Sequence, residues 1–118
     1  MFEKDMHYGI LLDFYGDILT ERQREMLECY YNDDMSLSEI ADSVGISRQG
    51  VRSSIKKGTD ILTDMEEKLG LANRFGKVQE LISSISNELK GLRSSITDEV
   101  VCEKIDDIIT RLSELNEI

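Results

Sequence analysis

Residues 36–57 read SLSEIADSVGISRQGVRSSIKK. Ser36 followed by Glu39 has the spacing of a capping box, and it immediately precedes the apolar pair Ile40-Ala41. The spacing therefore predicts a short helix over about Leu37 to Val44. Ile40 and Val44 would bury that helix, and Ala41 is small enough to let a second helix approach. Gly45 supplies the turn, in a left-handed conformation that side chains resist. Ile46 plugs beneath it, and Ser47 caps a second helix that starts at Arg48. Val51 and Ile55 bury this second helix. Arg48, Gln49, Arg52, Ser53, Lys56 and Lys57 are left outside. This is a helix-turn-helix pattern, whose second helix enters a major groove. Arg and Gln can pair with base edges, and Lys acts mainly as a charge on phosphate. The amides near Ser47, at the start of the second helix, can bind phosphate as well.

Charge supports that placement. The chain of 118 residues carries 24 acids and 14 bases, a net charge of −10. Taken alone, that total argues against wrapping by nucleic acid or an anionic membrane. Its distribution is uneven. Residues 43–59 hold four bases (Arg48, Arg52, Lys56, Lys57) and no acid, whereas residues 1–42 hold three bases and eleven acids. The positive patch is thus local and coincides with the second helix.

Outward from the motif, the chain reads as helix throughout. It contains no proline, so nothing in it must break an i→i−4 ladder. No run of alternating apolar and polar residues bounded by turn signals argues for a strand. A first helix is expected from about Phe2 to Tyr15, with Met6, Ile10, Leu11, Phe14 and Tyr15 on its buried face. Gly16-Asp17 interrupts it. Thr20 and Gln23 form another capping box, opening a helix with Met26, Leu27, Tyr30 and Tyr31 on its apolar side. Asn32-Asp33-Asp34 ends that helix. The helix from Arg48 should reach about Leu69, buried along Val51, Ile55, Ile61 or Leu62, Met65 and Leu69. Gly58 lies inside that stripe and costs roughly 1 kcal/mol of helix propensity, which points to a kink or a close helix contact. Gly70 is a natural stop.

Beyond Gly70 the pattern changes to heptads. Val78, Ile82, Ile85, Leu89, Leu92 and Ile96 form one seam, and Val101, Ile105, Ile108, Leu112 and Leu115 another. The five-residue step from Ile96 to Val101 breaks the seam, with Thr97 as the expected cap of the last helix and Gly91 as a competing break. The expected architecture is all-α. A helix-turn-helix domain spans 1–70, with its recognition helix at about 48–69, and a heptad helical hairpin spans 71–118. Two uses of the hairpin stand: a dimer or partner seam, or a cover for the amino-terminal domain.

Other constellations read more plainly as structure. The acid pairs Asp33-Asp34, Glu66-Glu67 and Asp106-Asp107 lack a Gly-rich cation loop, and adjacent helical carboxylates diverge by about 100°. His7 has no Cys or acidic partner at nucleophile spacing. Cys29 and Cys102 sit beside apolar stripes and have no zinc spacing. No GxxxxGK[ST] loop is present. Tyr30 and Tyr31 could stack on bases, but their spacing favours core packing. The expectations are no enzyme activity, no cofactor and no metal. No stretch approaches the ~20 apolar residues of a membrane span, and Met1–Asp5 leads into no apolar signal segment, so the expected location is the cytoplasm.

Residues 19–69 resemble region 4 of bacterial sigma factors: LTERQREMLECYY, then SLSEIADSVGISRQGVRSSI, then a long apolar helix. That region reads the promoter −35 element by a helix-turn-helix. With its short first helix, GISRQGVR segment and acidic helical tail, the whole chain resembles the YlxM family of small bacterial proteins. The resemblance implies a regulator linked to the signal recognition particle pathway. Implied partners are DNA or RNA, and the particle's GTPase or its RNA. It also implies that Ser47, Arg48, Gln49, Val51 and Arg52 correspond to the start of the sigma recognition helix. Gly50 departs from the bulkier residues common there, which should remove a base contact and loosen the helix start. The polymerase-binding regions of a sigma factor are missing from this sequence. The functional expectation is a nucleic-acid-binding regulator. The alternative is an interaction module for the particle without sequence-specific DNA binding. A homodimer through the carboxy-terminal helices is a further expectation.

Overall fold

The computed structural model describes residues 4–116. Among these it contains six α-helices and no strand: α1 His7–Tyr15, α2 Glu21–Leu27, α3 Leu37–Val44, α4 Arg48–Leu69, α5 Leu71–Ser94 and α6 Glu99–Leu115. A 3₁₀ turn, Gly16–Ile18, separates α1 from α2, and α2 runs directly into a π-helical turn, Glu28–Asn32. The chain divides into two compact units, residues 1–72 and 73–118.

The helix boundaries of the first unit follow from its caps. At Thr20 and at Ser36 both halves of a capping box form, with Gln23 and Glu39 reaching back to the cap amides. Each box satisfies two donors that a helix start would otherwise leave without partners. Gly45 ends α3 at φ +81°, and the N–H groups of Gly45 and Ile46 both donate to Ala41 O. Gly70 ends α4 at φ +63°. Both are left-handed closures of the kind glycine makes without steric cost.

The core of this unit gathers Leu11, Leu12 and Tyr15 from α1, Met26 and Leu27 from α2, Ile40 and Ala41 from α3, and Val51, Ile55 and Leu62 from α4. The alternative between Ile61 and Leu62 resolves to Leu62, which is fully buried, while Ile61 and Met65 are half-covered. Gly58 marks a close helix crossing. A Cβ there would stand 2.7 Å from Leu27 Cδ1, and α4 continues unbroken through the position.

Two expectations about buried faces, one about a helix start and one about a cap are corrected. Phe2 lies outside the described residues, and α1 begins only at His7. Met6, Ile10 and Phe14 are exposed, whereas Leu12 is buried with Leu11 and Tyr15. Apolar residues run almost all round α1, so its pattern did not single out a face. Leu69 is exposed because it stands in the last residue of α4, beside the Gly70 closure. The last helix is capped by Asp98, not Thr97: Asp98 Oδ1 accepts from the N–H groups of Val100 and Val101. A carboxylate there also suits the positive end of the helix dipole.

Tyr15 ties α1 to the end of α4 and the start of α5. Its hydroxyl donates to Glu66 Oε1 at 2.6 Å and accepts from Leu71 N–H at 3.1 Å, and Ala72 N–H donates to the same carboxylate oxygen at 3.1 Å. The first amides of α5 are thereby satisfied by side chains from two earlier helices. Burial, followed by the hydrogen bond to Glu66, pushes the Tyr15 phenol above its ordinary range.

In the second unit, α5 passes through Gly91 without a break. Residues 95–98 connect it to α6, and near that connection Arg93 Nε pairs with Asp106 Oδ1 at 2.6 Å. The Cys102 thiol lies 3.5 Å from Ile96 O. Among the described residues of this unit, Ile82 and Ile105 are the buried apolar ones.

Candidate nucleic-acid interface

The turn between α3 and α4 sets the direction of α4. Ser47 Oγ accepts from Gly50 N–H at 3.0 Å, and Ser47 O accepts from Val51 N–H. Gly50 faces this turn. A Cβ there would lie 3.2 Å from Ser47 Oγ and 3.3 Å from Ile46 Cδ1. Its small size fits the packing of cap and plug.

At about 100° per residue, Arg52, Lys56, Gln49, Ser53 and Lys57 follow one another round one arc of α4, with Arg48 at its edge. They stand opposite Val51, Ile55, Gly58 and Leu62, which are buried. Ser47, Arg48, Gln49, Arg52, Ser53, Lys56 and Lys57 are all solvent-exposed. Among the described residues, Arg48, Arg52 and Lys57 form no ion pair, while Lys56 Nζ lies 3.1 Å from Asp60 Oδ1 with both side chains largely exposed. An exposed i,i+4 pair of this kind is worth only a few tenths of a kcal/mol, so Lys56 can exchange its partner for a phosphate. Asp60 marks the end of the basic strip.

A cleft of about 290 Å³ opens beside this strip, lined by Arg52, Ile55 and Lys56 from α4 and by Leu37, Tyr30 and Lys4. Nothing in the spacing of the sequence signalled that Lys4 and Tyr30 would stand beside Arg52. Lys4 Nζ donates to Tyr30 O and Met35 O, each at 2.8 Å, and sits 4.1 Å over the Tyr30 ring. It holds the loop after the π-helical turn, where Asp34 adopts φ +53°. Tyr31 is buried and meets Tyr30 edge-on at 5.0 Å. One face of Tyr30 is thus occupied by an ammonium and the ring also packs against Tyr31, which disfavours it as a base-stacking platform.

The remaining titratable candidates do not converge. His7 is exposed, and Cys29 and Cys102 are free, half-buried thiols. Burial, reinforced by Asp33, Glu25 and Glu28, raises the Cys29 thiol, which keeps it protonated at neutral pH. Among the described residues no group of three or more His, Cys, Asp or Glu is placed to hold a metal ion. No helix among the described residues is long and apolar enough to cross a membrane.

Comparison with known proteins agrees with the helix-turn-helix. Residues 2–111 match the family UPF0122, described as "Putative helix-turn-helix protein, YlxM / p13 like". A UPF0122 protein of Acetivibrio thermocellus is 39% identical over 115 residues, covering 95% of this chain and 98% of that protein. UPF0122 proteins of Bacillus cereus and Shouchella clausii are 37% and 34% identical over 116 residues, covering 98% of this chain and all of each relative. The chain belongs to this bacterial family.

Proposed function

We propose that the protein is a nucleic-acid-binding regulator of the cytoplasm that places the first three turns of α4 in a DNA major groove. The observation that carries this reading is the arc of exposed cations at the start of α4. Three of the four form no ion pair among the described residues, and the arc stands on a helix held at both ends of its turn by Gly45 and Ser47. Arg48, Gln49 and Arg52 face base edges, where a bidentate contact is worth about 1–3 kcal/mol of discrimination. Ser53, Lys56, Lys57 and the amides beside Ser47 take phosphates. Residues 1–70 form the binding domain and 71–118 an appended helical hairpin. The test is fluorescence anisotropy of the full chain against genomic fragments and structured RNA at two salt concentrations. Binding that weakens with salt and falls about tenfold or more in Arg52→Ala is expected. No binding above background at low salt in either nucleic acid overturns the proposal.

A second reading rests on the acidic surface of α1 to α3. Asp13, Glu21, Glu25, Asp33 and Asp42 are exposed, and such a surface suits a basic partner. In this reading the protein binds the GTPase or the RNA of the signal recognition particle. A pull-down that recovers the GTPase, and loses it when residues 71–118 are deleted, supports it. Recovery of neither component removes it.

A further inference from the structure

The heptad seams of α5 and α6 are only half used inside the second unit. Each seam consists of two columns with seven-residue spacing. In α5 one column contains Ile82, which is buried, and Leu89, half-buried. The other is Val78, Ile85 and Leu92, exposed by 45%, 38% and 55%. In α6 the column of Ile105 and Leu112 is covered in the same way, and Val101, Ile108 and Leu115 are exposed by 38%, 37% and 49%.

The two exposed columns have a fixed geometric relation. Each is displaced from the covered column of its own helix by about 40–60° in the same rotational sense, at about 100° per residue. Antiparallel helices are related by a two-fold axis between them, perpendicular to both. That axis carries the front of one helix to the front of the other. Columns displaced in the same sense therefore share one side of a hairpin, and their six apolar side chains form one continuous face.

We propose that this face binds its counterpart on a second copy of the chain, giving a dimer built as a four-helix bundle. Three observations favour that occupant. Strict seven-residue spacing on an exposed face is what a facing helix with the same repeat requires for knobs-into-holes packing. Self-association also needs tolerable repulsion. The second unit has six bases against nine acids, while residues 1–72 have eight against fifteen. The charges that flank the columns are of both signs, with Lys77 and Glu88 on α5 and Lys104, Asp107 and Arg111 on α6. An isologous interface can then bring unlike charges together. Finally, Leu81 and Val100, both exposed by about 60%, widen the apolar strip on its outer flank.

The proposal stands apart from nucleic-acid binding and is tested without it. The full chain is followed by sedimentation velocity from about 1 to 500 μM, beside the double variant Ile85→Lys, Ile108→Lys. Both substituted positions are exposed, so the helical circular dichroism of the variant should match the wild type. The expected result is a concentration-dependent rise to twice the 13.5 kDa chain mass in the wild type, with the variant monomeric throughout. A second variant, Leu92→Glu, should shift the midpoint of association at least tenfold to higher concentration. A wild type that stays monomeric to 500 μM overturns the proposal. So does a double variant that keeps its helix content and still dimerises at the wild-type midpoint.

Discussion

At the scale of single residues, the closest contact in the first unit is the one at Gly58. Alanine is worth about 1 kcal/mol more than glycine in a helix interior, so propensity alone would favour Gly58→Ala. The Cβ it adds would meet Leu27 at 2.7 Å, and Leu27 is itself fully buried. Overpacking of a filled core costs typically 1–3 kcal/mol, so the steric term should win. Gly58→Ala is expected to lower stability by about 1 kcal/mol net, measured as a lower urea midpoint with an unchanged slope. Tyr31 makes a different residue-scale prediction. Burial, then the neighbouring Tyr30 and Tyr8, push its phenol up to about 12, against about 10 for an exposed tyrosine. The folded state thus holds this proton more tightly than the unfolded state. The associated stability is complete below about pH 10 and is lost as pH rises towards about 12. Tyr31→Phe should flatten the fall of the denaturation midpoint over that alkaline range and leave the profile between pH 6 and 9 unchanged in shape.

At the scale of elements, the caps were legible and the buried faces were not always so. Thr20, Ser36, Gly45, Ser47 and Gly70 are short-range signals, fixed by spacings of three or four residues, and each does in the structure what its spacing implied. The face of α1 depends on which side meets α4, and α1 is apolar nearly all round, so its own residues carry little of that information. The Tyr15–Glu66 link joins residues 51 positions apart, a pairing that no local pattern announces. The cap of α6 shows the competition between adjacent candidates. Thr97 and Asp98 both have suitable side chains, and Asp98 prevails with two backbone donors and a full negative charge. Asp98→Ala should cost about 1 kcal/mol and reduce the helical signal of the second unit, while Thr97→Ala should leave both unchanged. The candidate interface was legible for a similar reason. Its seven side chains lie on one helix within three turns, so helical periodicity alone placed them together. The cleft beside it was not, because Lys4 and Tyr30 reach Arg52 only through the tertiary fold.

At the scale of the whole molecule, the question is whether a chain of net charge −10 can present a working anion-binding surface. Screening decides it. The Debye length is about 8 Å at physiological salt, so acids elsewhere in the chain are felt weakly at the basic strip, and those within a turn of it dominate. Asp60 is the acid that matters most, because it lies one turn beyond Lys56 on the same arc and pairs with it at 3.1 Å. Glu67 is exposed on the same helix but lies eleven residues past Lys56, about 16 Å along the axis at 1.5 Å per residue. Asp60→Asn and Glu67→Gln therefore change the total charge identically and the local field very differently. If local charge governs binding, Asp60→Asn should tighten DNA binding several-fold in about 0.1 M salt. The slope of the log–log salt dependence should stay near wild type, because Lys56 already counts among the phosphate contacts. Glu67→Gln should leave affinity and slope near wild type. Equal tightening by both variants would mean that the total charge, rather than the strip on α4, controls the encounter with nucleic acid.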